Sequence, residues 1–101
     1  MKRILIVSSL AEQDLQRAVE WSQRHHPAGS ERFFSEVGAA LEMLRETPLR
    51  WPLWHGADIR RCVLPRLPYS VYYRVDESSV FIEAVLHHRQ DATARLPEDI
   101  P

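Results

Sequence analysis

Two runs rich in aromatic and β-branched residues stand four polar residues apart, and they constrain the fold more than anything else in the chain. They are 68–75 (Pro-Tyr-Ser-Val-Tyr-Tyr-Arg-Val) and 80–87 (Val-Phe-Ile-Glu-Ala-Val-Leu-His). Joined by Asp76, Glu77, Ser78 and Ser79, they predict a β-hairpin. Side chains alternate along a strand, so Tyr69, Val71, Tyr73 and Val75 share one face and Ser70, Tyr72 and Arg74 the other. The same alternation puts Val80, Ile82, Ala84 and Leu86 on one face of the second strand. That strand runs straight into His87, His88, Arg89, Gln90 and Asp91, so the hairpin delivers polar and basic groups at its exit.

Upstream, residues 3–8 read as a short strand of buried character, and Ser9 with Glu12 fits a capping box at a helix start. Ala11, Leu15, Ala18, Val19 and Ser22 then form a helical stripe with Trp21 at its margin. The breaker cluster 27–30 ends that helix near His25 and His26. Phe33, Val37, Ala40, Leu41 and Leu44 mark a second amphipathic helix, closed by Thr47 and Pro48. So short a connection predicts an antiparallel helical hairpin whose apolar side needs a sheet to cover it. Residues 48–56 are a connector rich in proline and tryptophan. Residues 58–64 read as a further strand and 65–68 as a turn. The expected fold is α+β: an N-terminal strand, then a helical hairpin packed on a twisted, mainly antiparallel sheet.

At 101 residues this is one domain, placed at 1–91, with a proline-broken tail at 92–101 expected to fray from Ala94. No run approaches the ~18 apolar residues of a membrane span. The apolar run after Lys2 and Arg3 is too short for a signal peptide. Cys62 alone excludes an internal disulfide and suits a reducing cytoplasm, where it reads as a small core residue. A net charge of -1 argues against plain nucleic-acid binding, although between Arg50 and Arg74 five arginines face only Asp58.

The histidine pairs 25–26 and 87–88 are adjacent, and neighbours on a strand point to opposite faces, so no metal site is expected. There is no glycine-rich phosphate loop and no nucleophile elbow, and no cofactor is expected. The candidates for chemistry are Arg60, Arg61, Arg74, His88 and Arg89. A metal-free ribonuclease needs a base, cations for the crowded phosphorane and an acid for the leaving oxygen. Taken singly, each arginine reads more readily as a solvated or carboxylate-paired surface residue.

Taken in order, the motifs resemble the ParE/RelE toxin superfamily of type II toxin–antitoxin systems, often labelled plasmid stabilisation proteins. The match runs over about residues 3–91. It opens on Arg32, Phe33, Phe34 and Val37 with Ala40, Leu41 and Leu44, followed by Thr47-Pro48 and Asp58-Ile59-Arg60-Arg61. It closes on Pro68-Tyr69-x-Val71-Tyr72-Tyr73-x-Val75 and Ala84-Val85-Leu86-His87-x-Arg89. The resemblance implies a cognate antitoxin partner. It also implies one of two activities: ribosome-dependent mRNA cleavage by RelE-like members, or inhibition of DNA gyrase by ParE-like members, which are not nucleases.

The match to the nuclease branch is partial. Ser70 stands where that branch has an arginine, Arg60 and Arg61 stand in place of lysines, and no tyrosine follows Tyr73. Arginine cannot serve as the base that a lysine of lowered pKa can. His88 matches the strand-end acid of some nuclease relatives, which leaves Arg60, Arg61, His88 and Arg89 as the alternative catalytic set. The ParE-like pattern Val-Leu-His-x-Arg-x-Asp is met by residues 85–91 and is favoured. On this reading the partner-binding candidates are Trp51, Trp54, Arg74, His87, His88 and Arg89. A non-toxic binding module of the same fold is the third reading.

Overall fold

The computed structural model describes residues 2–54 and 58–96. In chain order they form β1 (Ile4–Val7), α1 (Ser9–His25), α2 (Ser30–Glu46), β2 (Arg60–Val63), β3 (Tyr69–Val75), β4 (Ser79–His87) and α3 (Ala92–Arg95). Single 3₁₀ turns at Pro27–Gly29 and Pro48–Arg50 follow α1 and α2. The four strands make one sheet in the order β1-β4-β3-β2. β1 runs parallel to β4 and the other pairings are antiparallel, as the α+β reading requires. Asp76 closes the hairpin loop, its Oδ1 accepting the backbone N–H of Ser78 and Ser79 at 2.9 and 2.7 Å.

The helices form a layer on one face. Phe33, Val37, Ala40 and Leu44 of α2 and Ala11 and Ala18 of α1 pack with Tyr69, Val71, Tyr73, Val80 and Ile82 into the main core. Leu15, Val19 and Leu41 are only partly covered, because they lie between the helices on the outer side. Thr47 closes α2 as expected, its N–H bonded to the Met43 carbonyl. Tyr73 then ties the following turn to the sheet, its hydroxyl donating to the Pro48 carbonyl at 2.6 Å.

The structure departs from the sequence reading at three places near the N-terminus and the hairpin. β1 is an edge strand rather than a buried one: Leu5 and Val7 face the core, while Ile4 and Ile6 remain 62% and 42% exposed. The cap of α1 is Ser8, not Ser9. Its Oγ accepts the Ala11 N–H at 3.0 Å, which leaves Glu12 one position too far along for the capping box.

The third departure is a register shift. Tyr72 pairs with Ala84 but Tyr73 pairs with Ile82, so Glu83 is an inserted residue, a β-bulge. The bulge reverses the alternation in β4. Val80, Ile82 and Val85 face the helices, whereas Ala84 and Leu86 face the other side with Tyr72. On that side Ala84, Leu86 and Tyr72 join Trp54, Ile59 and Leu96 in a second cluster.

The C-terminal residues are built into this arrangement. Asp91 caps α3 by accepting the Thr93 N–H at 3.0 Å, and Leu96 is buried in the second cluster. The expected fraying from Ala94 is therefore not seen through Leu96, because Arg95 and Leu96 are both anchored. Residues 97–101 lie outside the described residues.

Candidate functional site

The polar groups collect where β4 leaves the sheet. Beyond the last β1 pairing, Val7 with Ile82, the outer edge of β4 has no strand to bond to among the described residues. Helix α1 takes over that role. Ser8 N–H bonds the Ile82 carbonyl at 3.0 Å, Ser8 Oγ donates to the Glu83 carbonyl at 3.3 Å, and Asp14 Oδ2 accepts the Val85 N–H at 3.1 Å. Asp14 is only 6% exposed. Its charge is met by Arg95, whose guanidinium grips both carboxylate oxygens at 2.6 and 2.7 Å. Sequence reading missed Asp14. Its signal was an acid at the i+3 position of the stripe 11, 14, 18, 22, all four of which are buried.

At the strand exit the chain turns tightly. His87 N–H donates to Gln90 Oε1 at 2.7 Å, and Gln90 N–H returns to the His87 carbonyl at 2.9 Å. The Arg89 backbone N–H donates to His87 Nδ1 at 3.0 Å, which places the imidazole proton on Nε2. Burial, and after it the charges of Arg89 and His88, holds the His87 pKa below its ordinary value. The His87 ring packs edge-on against Tyr69, at 5.1 Å between centroids. His88 turns the other way, its Nε2 3.1 Å from the Oγ of Ser70, which is 1% exposed.

The basic residues read from the sequence do not converge. Arg60 and Arg61 alternate on β2. Arg60 pairs with Tyr73 on the helix side and donates to the Trp51 carbonyl at 2.6 Å. Arg61 pairs with Tyr72 on the opposite side, where it shares a cleft of about 340 Å³ with Trp54, His88 and Thr93. Arg74 is ion-paired with Asp58 and lies 3.6 Å from Glu83. Arg89 lines a different cleft, with Arg17 and Trp21 of α1.

The two connector tryptophans also part. Trp54 is 8% exposed and packs edge-on against Tyr72 at 5.3 Å, so it belongs to the second cluster. Trp51 is half-buried against the main core, with the Arg50 guanidinium 5.2 Å above its ring. Between them and β2 lies an open cleft floored by Leu53 and Val63. Burial pushes the Cys62 thiol up to about 11, in keeping with a core residue rather than a nucleophile. His55 falls outside the described residues. Among those described, no three histidine, cysteine or acidic side chains come together as a metal cluster.

A two-helix layer sealed on a mixed four-stranded sheet, with His87, His88 and Arg89 at the exit of β4, defines a small single-sheet α+β domain. The sequence profile described as ParE toxin of type II toxin-antitoxin system, parDE, matches residues 5–92. The chain belongs to that family, the ParE toxins. A solved structure described as a chromosomal ParDE TA system from P. aeruginosa superposes with a TM-score of 0.77. The superposition covers 85% of this chain and 96% of that one at 16% sequence identity, a likeness of fold. Comparison with curated protein sequences finds no match.

Proposed function

We propose that this ParE-family toxin acts in the cytoplasm by inhibiting DNA gyrase and is neutralised by a cognate antitoxin. The observation that carries the choice of target is the scattering of the basic set. A nuclease must hold its base, its acid and its phosphate-binding cations around one phosphate. Here Arg60 is engaged on the helix side, Arg61 and His88 stand on the far side, and Arg89 lines the α1 cleft. The sole lysine, Lys2, is paired with Glu42 and Glu46 at the N-terminal edge, away from all three. A surface inhibitor has no such requirement for convergence.

The antitoxin contact is supported by the outer groove of the helical hairpin, a cleft of about 410 Å³ lined by Leu15, Val19, Phe34, Val37 and Leu41. Phe34 is 60% exposed there, and a Cβ added at Gly38 would meet nothing within 4 Å. An amphipathic helix laid in such a groove buries apolar anchors at i, i+3, i+4 and i+7. Trp51 and the open cleft beside β2 are the second expected contact.

The nuclease reading keeps one supporting observation, the shared cleft of Arg61 and His88. Expression of the toxin in growing cells separates the two. Gyrase inhibition predicts DNA damage signalling with intact transcripts, and retention of both in His88→Ala. Transcript cleavage abolished by that change would replace the inhibitor with the enzyme.

A further inference from the structure

The cleft between the C-terminal half of α1 and the exit of β4 encloses about 340 Å³ and is not explained by the groove above. Its walls are Ala18, Val85 and Tyr69, and its rim carries Arg17 of α1 and Arg89 of the turn after β4. Both arginines are exposed, and neither forms an ion pair among the described residues. His87 adds a ring whose Nδ1 is already occupied, leaving Nε2–H as a donor. The one acid among the described residues of the cleft, Asp14, has both oxygens held by Arg95, which does not itself line the space. The cleft therefore presents apolar walls and positively charged hydrogen-bond donors that no acid among the described residues answers.

We propose that this cleft receives a carboxylate side chain from an acidic segment of the antitoxin, and that Arg95 keeps it receptive by neutralising Asp14. The inference rests on the antitoxin reading given above. A carboxylate with its short aliphatic stem suits two guanidinium groups over an apolar floor. A nucleic-acid strand suits it less. It carries a charge at every nucleotide and needs a continuous cationic track, whereas α1 also bears Glu12 and Glu20 and the chain is net -1. The docking of α3 is thereby coupled to partner binding: with Arg95 in place the cleft is cationic, and without it Asp14 repels the incoming acid.

Calorimetry with the purified toxin and its cognate antitoxin tests this. Arg17→Ala and Arg89→Ala should each weaken binding about tenfold, the size of one charge-assisted hydrogen bond. Both should also flatten its salt dependence. Arg95→Gln should weaken binding to a similar degree without touching the partner. Arg95→Gln combined with Asp14→Asn should restore it, since no uncompensated charge remains; a simple loss of α3 structure would not be rescued in this way. Changing the acids of the antitoxin tail to amides should reproduce the loss and make Arg17→Ala and Arg89→Ala silent.

Unchanged antitoxin affinity in Arg17→Ala and Arg89→Ala would overturn the inference while leaving neutralisation intact. Failure of the wild-type pair to bind would overturn both. Tight binding of single-stranded DNA that the two arginine variants abolish, with antitoxin affinity unchanged, would assign the cleft to nucleic acid and overturn it as well.

Discussion

Asp14 of α1 serves as a missing strand for Val85 of β4, its carboxylate accepting at 3.1 Å the N–H that β1 is too short to reach. A buried carboxylate in this position is tolerable because Arg95 answers its charge. One side chain thus joins the helix layer, the open sheet edge and the C-terminal helix.

Removing it should be felt throughout the fold. Asp14→Ala strands the Val85 amide and should cost about 1–3 kcal/mol in urea unfolding. Asp14→Asn retains an acceptor and should cost less. Equal losses for the two variants would show that the Val85 contact contributes nothing.

The helix layer gives a second expectation. Leu44 is fully buried under α2, and Leu44→Ala should cost about 2–5 kcal/mol. Leu41, half-covered in the outer groove, should lose less when truncated. If Leu41→Ala proved the more damaging, α2 would be rotated from the position described.

Much of this architecture was legible in the sequence, and the failures share a physical origin. Phe33, Val37, Ala40 and Leu44 repeat with the period of a helix, and Tyr69, Val71 and Tyr73 with that of a strand. Local periodicity therefore identified α2, β3 and most of their buried faces, although Leu41, read as a member of the same buried stripe, lies half-covered in the outer groove. Nothing local announces the bulge at Glu83, because it is set by pairing with β3 across the hairpin. The faces of Ala84 and Leu86 were accordingly misplaced. Ser8 and Ser9 are equivalent caps until the Ile82 and Glu83 carbonyls select the first. Arg60, Arg61, His88 and Arg89 were singled out by residue type alone. Alternation already parts Arg60 from Arg61, but which face of β2 each takes, and where the turn after His87 sends His88 and Arg89, depend on tertiary pairing that no local pattern shows.

His87 carries a pH prediction. Its folded-state pKa lies below the ordinary 6.5, so folding favours the neutral ring and the unfolded chain takes up the proton first as pH falls. The associated stability is fully present above about pH 6.5 and is lost as the pH drops through the lowered folded value. Wild-type urea midpoints should fall between neutral pH and about pH 5 more steeply than those of His87→Gln. Parallel slopes would contradict the assignment.

Cys62 should behave as a core thiol. With its pKa pushed up to about 11 by burial, it has almost no thiolate at mildly alkaline pH. An aromatic disulfide reagent should react slowly with native protein and at once in denaturant. Rapid native reaction would mean that the Cys62 side of β2 opens readily.

The gyrase assignment is tested most directly with purified components. Toxin added to gyrase and relaxed plasmid should suppress supercoiling in proportion to toxin and be reversed by antitoxin, with His88→Ala and Arg61→Ala retaining inhibition. Unimpaired supercoiling at saturating toxin, together with cleavage of mRNA on programmed ribosomes that either substitution abolishes, would contradict the account.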